Sequence, residues 1–305
     1  MPGNTTAPNP PVDVYAVGYT GNSIATYWKN GVATRLADSA TALTALSSTA
    51  NAIVVSGTDV YIAGTLYGQA AYWKNGVAAT LPGAIPSFGN AIAVNGADVY
   101  VAGAMSTKTT NSVAEYWKNG VPIRLVTDSS SFSWAYGIAV SGSDVYIAGY
   151  TTPGIGLPVA TFWKNGVATY LDSGAQPTSG TNAIVLSGND VYIAGSIGSA
   201  GTAAYWKNDV LTSVGQSGSN ATAMAVNGNN IYLAGNNGIA LGWYWKNGAG
   251  ISLPFNSFAT AIAVNGTDVY VAGYTNPNSA TYWKNGVPTQ LTTNGVLNGI
   301  ALVPK

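Results

Sequence analysis

Apolar and polar positions along this chain follow short motifs that recur. Stretches such as AIAV (Ala261–Val264) and DVYVAG (Asp268–Gly273) are rich in β-branched residues and bounded by Asn, Gly and Asp. Short runs of that kind predict strands between tight turns. YWKNG begins at Tyr27, Tyr72, Tyr116, Phe162, Tyr205, Tyr244 and Tyr282, as FWKNG at Phe162 and with Asp209 for its glycine at Tyr205. DVYxAG begins at Asp13, Asp59, Asp98, Asp144, Asp190, Asn230 and Asp268, and the AIAV element is centred on Ile53, Ile92, Ile138, Ile184, Met224, Ile262 and Ile300. Each element therefore occurs seven times. Successive repeat tryptophans lie 45, 44, 46, 43, 39 and 38 residues apart, the period of a four-stranded propeller blade.

The repeat reads as four strands: AIAV, DVYVAG, ATYW and a segment ending in Leu such as VATRL. NGTD or SGTD joins the first two, and KNG the last two. Asn-Gly at a hairpin tip supplies the positive φ angles of a type I′ turn. The aspartate after the glycine is expected to bond amides of its own turn. From the first-strand Ile or Met to the second-strand Tyr is always 8 residues, and from Trp to the end of the fourth strand again 8. The other connections vary, from 5 to 10 and from 6 to 14 residues. In an up-and-down meander the two fixed turns share one face of the disc and the two variable loops share the other.

The predicted fold is all-β, a seven-bladed β-propeller of four-stranded antiparallel blades. The first recognisable strand is a second strand and the last is a first strand, so the C-terminal strand can complete the N-terminal blade and close the ring. A disordered lead is expected over 1–12 and a single propeller over 13–303. Its blades fall at about 13–36 plus 299–303, 51–81, 90–125, 136–171, 182–214, 222–253 and 260–291. The Tyr-Trp and Phe-Trp pairs are expected to fill the spaces between blades.

AIAVNGTDVYVAGYT (Ala261–Thr275) resembles the bacterial seven-bladed β-propeller repeat family, and the YWKNG hairpins resemble repeats of secreted lipoproteins of Bacteroidetes-type bacteria. The likeness covers 13–303. It implies the fold and export to the periplasm or cell surface, and it supplies no catalytic residues.

Composition narrows the chemistry. Eleven basic and eleven acidic residues balance, with no basic run to hold a phosphate backbone, which argues against nucleic acid. No apolar stretch is long enough to span a bilayer as a helix. Cysteine and histidine are absent, which removes thiol and imidazole chemistry and nearly every transition-metal site. No cofactor, metal site or catalytic residue is assigned, and a monomer is expected. Seven lysines (Lys29, Lys74, Lys118, Lys164, Lys207, Lys246, Lys284) and six aspartates belong to the repeat. The lysines read as solvated turn residues in preference to an anion-binding ring. Five acids remain: Asp38, Glu115, Asp128, Asp172 and Asp209.

Aromatics outside the repeat positions stand out. Candidate ligand-binding residues on the variable-loop face are Tyr67, Phe88, Asp128, Phe132, Trp134, Tyr136, Asp172, Trp243 and Phe258. Aromatics beside Asn, Ser and Thr can stack on sugar rings or anchor a peptide; they can equally plug the channel mouth. The leading expectation is a non-catalytic recognition module for a glycan, peptide or surface protein. The alternatives are a glycan hydrolase or lyase using Asp38, Asp128 and Asp172, and a structural or engineered propeller without a ligand.

Overall fold

The computed structural model describes residues 9–21, 23–36, 47–106, 112–125, 132–154, 156–174, 176, 178–238 and 241–305. They form seven four-stranded antiparallel sheets arranged in a ring. Blade 1 combines the C-terminal strand Gly295–Pro304 with the first three strands of the chain, and blades 2 to 7 are continuous in sequence. The pairing of Val12–Thr20 with Gly295–Pro304 closes the ring as its strand order requires. Residues 9–12, which sequence places in the lead, are held here. Val12 opens a strand, and Asn9 and Pro10 hydrogen-bond the Asn265–Thr267 turn of blade 7.

The innermost strands are Gly295–Pro304 in blade 1, then Ser48–Ser56, Ser87–Asn95, Phe132–Ser141, Ser179–Ser187, Ser219–Asn227 and Ser257–Asn265 in blades 2 to 7. They begin well before the AIAV element, because the chain upstream already pairs with the second strand. Each carries a β-bulge, so one residue is unpaired. Opposite the bulge lies the glycine of DVYxAG. A side chain on Gly149 would collide with the Trp134 carbonyl, which explains why glycine recurs there.

Seven apolar clusters occupy the seven junctions between blades. Each repeat tryptophan reaches back to the preceding blade: Trp163 meets Tyr100, Tyr116 and Leu125, and Trp283 meets Tyr232, Tyr244 and Leu253. All seven are at most 3% exposed. A second device is a serine five residues before the Ile or Met. Ser48, Ser87, Ser133, Ser179 and Ser219 each accept a hydrogen bond of 2.9 Å from a backbone amide of the preceding blade, and Ser257 one of 3.3 Å from Gly242. All six serines are buried. Gly295 holds that position in blade 1.

On the fixed-turn face, third-to-fourth hairpins place Asn-Gly at positive φ, as type I′ turns require. First-to-second hairpins differ from expectation. Only the glycine has positive φ, at the first of two loop residues, which is the pattern of a type II′ turn. The aspartate does not cap its own turn. In blade 2, Asn75 Nδ2 donates to Asp59 Oδ1 at 2.8 Å while Lys74 Nζ lies 2.9 Å from Oδ2 and over the Tyr61 ring. Lys74 and then Asn75 hold that carboxyl below its ordinary range. The same arrangement recurs in five other blades. The lysines are therefore paired and do not form a free cationic ring. Blade 6 is the exception: Asn230 replaces the aspartate and accepts from Asn247 Nδ2 at 2.9 Å, and Lys246 covers the Tyr232 ring.

Candidate site at the channel mouth

The seven unpaired bulge residues are Asn51, Asn90, Tyr136, Asn182, Thr222, Thr260 and Asn298, one per blade. All seven line a central channel of about 510 Å³ near the variable-loop face, with the repeat Ile and Met side chains beside them. Bulging places these side chains at the axis, where regular alternation would not.

Six of the seven reach the next blade. Asn51, Asn90, Asn182 and Asn298 donate Nδ2 to the carbonyls of Gly89, Ala135, Ala221 and Ala50, at 2.7–3.0 Å. Thr222 and Thr260 donate their hydroxyls to Ala259 and Leu297, at 3.0 and 2.7 Å. Each acceptor is the carbonyl just before the next bulge. The result is a polar girdle around the channel, broken between blades 4 and 5. There Tyr136 replaces the amide or hydroxyl, and the tie is made by Thr181 Oγ1, which donates to the Gly149 carbonyl at 2.7 Å.

Tyr136 belongs to an aromatic run. Phe88 lies 5.3 Å from Trp134, Trp134 stacks on Tyr136 at 5.9 Å with 10° between planes, and Tyr136 lies 6.1 Å from Tyr150. Burial, and secondarily Tyr150, pushes the Tyr136 phenol well above its ordinary value; burial also raises Tyr150. Both act as neutral hydroxyls. Beside them a cleft of about 370 Å³ opens between blades 4 and 5, with Gly180, Ser196 and Gly198 as its other wall and Tyr136 and Asn182 shared with the channel. Among the described residues, none lining channel or cleft is Asp, Glu, Lys or Arg.

The structure brings Phe88, Trp134 and Tyr136 together. Phe258 forms a separate station on blade 7, stacked on Tyr274 at 4.7 Å. Phe132 is 41% exposed at the start of the blade 4 inner strand. Tyr67 caps the second-to-third hairpin of blade 2 at φ 55°. Trp243 does not join the run; it stacks on Trp245 in the third strand of blade 6. Asp172 is exposed, its carboxylate accepting the Gly174 amide and its carbonyl accepting Trp206 Nε1 at 2.6 Å. Asp38 and Asp128 lie outside the described residues. Glu115 is buried in blade 3 away from the mouth, and burial, partly offset by Arg124, raises its carboxyl to about 6.

Sequence reasoning missed Tyr150, Asn182, Gly180 and Tyr274. The signal was available in the register. The residue two before each bulge pairs with the residue after the DVYxAG glycine, giving Trp134 with Tyr150, Gly180 with Ser196, Asn220 with Asn236 and Phe258 with Tyr274.

No family model matches the chain, and no curated protein matches it in sequence. Among solved structures, the WD40 β-propeller domain of Doa1 aligns over 98% of this chain and 95% of its own, with TM-score 0.57 and 10% identity. The computationally designed Ika8 protein aligns over 92% of this chain and 80% of its own, with TM-score 0.50 and 18% identity. Likeness at these identities establishes the fold alone.

Proposed function

We propose that this propeller is a non-catalytic recognition module whose ligand sits at the channel mouth on the variable-loop face. The observation that carries this reading is the interrupted girdle. At one junction of seven a hydrogen-bonding side chain gives way to Tyr136, and at that junction an aromatic run borders a cleft continuous with the channel. Six intact ties show what the scaffold uses for stability, so the seventh departs from a structural pattern. Half-buried aromatics beside neutral polar groups on a rigid frame suit binding. The resemblance of the repeats to those of exported bacterial proteins favours a ligand met outside the cytoplasm.

Tyr136→Asn tests the reading, because it restores the residue that four other blades carry. The variant should fold with unchanged or slightly higher stability and lose binding to ligands selected by the native protein from glycan and peptide arrays. Lys164→Ala, on the opposite face, should keep binding. Retention of every selected ligand by Tyr136→Asn would overturn the proposal.

A further inference from the structure

The channel mouth has a second aromatic station and a particular hydrogen-bonding polarity, which together point to a ligand class. Blade 7 carries Phe258 stacked on Tyr274 with 13° between planes, at the positions that Trp134 and Tyr150 occupy in blade 4. Three blades apart in a ring of seven, the two stations lie on opposite sides of the axis. A ligand touching both must cross the girdle. The blades between them carry Gly180 with Ser196 and Asn220 with Asn236 at the same positions, small or polar pairs.

The girdle itself is short of donors. Its asparagines spend Nδ2 on backbone carbonyls, and among the described residues the Oδ1 atoms of Asn90, Asn182 and Asn298 accept no hydrogen bond while lining the channel. Among the described residues the mouth thus offers neutral acceptors around the axis, flanked by flat apolar plates, with no ionised group lining the channel or the cleft. A partner dense in hydroxyl donors, with apolar ring faces and no charge, satisfies all three features. A peptide brings as many backbone acceptors as donors and leaves the acceptor ring half met.

We infer that the ligand is a neutral oligosaccharide laid across the channel mouth, one sugar ring against Trp134 and Tyr136 and another against Phe258. This assignment rests on the proposed binding face and adds its chemistry. Titration calorimetry with neutral gluco-, manno-, xylo- and N-acetylglucosamine oligomers of one to six units, with acidic oligosaccharides and uncharged peptides alongside, tests it. At least one neutral series should bind, and more tightly as it lengthens. Trp134→Ala should weaken every bound length about tenfold or more, about 1.4 kcal/mol per factor of ten. Phe258→Ala should weaken the longest members by a similar factor and leave the shortest unchanged. Binding of only acidic glycans or peptides, lost in Tyr136→Asn, would overturn the sugar assignment and leave the binding face standing. Ligands that bind equally well to Tyr136→Asn would remove the face and the assignment together.

Discussion

Asp209 occupies a backbone position that the other YWKNG hairpins give to glycine, at φ 68°. A left-handed conformation costs an ordinary residue about 1–2 kcal/mol, less for Asp. Asp209→Gly should therefore raise stability by about 1 kcal/mol, read as a shifted denaturant midpoint with unchanged slope. Glu115 has the opposite character, for its cost depends on pH. Its folded carboxyl titrates near 6, above the ordinary 4.5, because burial disfavours the anion. Between those values the folded state binds more protons than the unfolded chain, so stability falls as pH rises through that window and stays low above it. Keeping this carboxylate ionised in the fold costs about 2 kcal/mol above that window. Glu115→Gln should be more stable than the parent at pH 7.5 and should lack this slope, as urea unfolding at pH 4.5 and 7.5 can show. The sequence marked Glu115 as a carboxyl outside the repeat. It could not mark it as buried, because facing is set by the register against the second strand.

Among elements, the strand count, the constant hairpins and the two faces were legible because seven copies fix the register eight residues at a time. The inter-blade ties were not read, although a serine recurs five residues before the Ile or Met in six units. Composition alone makes such a serine look like a loop residue, and its burial follows only once the inner strand is known to begin before AIAV. Ser133→Ala strands the buried Ala114 amide at a junction between blades. Losing the partner of a buried amide costs about 1–3 kcal/mol, so the thermal midpoint should drop by a few degrees while the circular dichroism spectrum stays native. Turn type was misread for the first-to-second hairpins because the string Asn-Gly suits type I′. Register places the asparagine at the end of the strand and leaves glycine alone at the first loop position. The candidate site was half legible: Phe88, Trp134 and Tyr136 stood out as departures from the repeat. Their partners Tyr150 and Asn182 did not, since they sit at repeat positions and matter only through their neighbours.

At the scale of the whole molecule, closure and broken symmetry have separate roles. Closure couples the chain ends. Deleting residues 295–305 removes the inner strand of blade 1 along with the buried Leu297, and its girdle donor Asn298. The junction with blade 7 then loses apolar cover and the junction with blade 2 loses its girdle tie, so the shortened chain should fail to give a cooperative unfolding transition. Broken symmetry marks the proposed ligand site. Seven of the nine tryptophans belong to the repeat and lie at most 3% exposed, whereas Trp134 stands at the mouth. Fluorine NMR of protein labelled with 5-fluorotryptophan, titrated with the neutral oligosaccharides, tests the account most directly. One resonance, assigned by Trp134→Phe, should move on binding while the seven repeat tryptophans hold still. Saturable binding that leaves that resonance in place, or that moves the repeat signals instead, would contradict it.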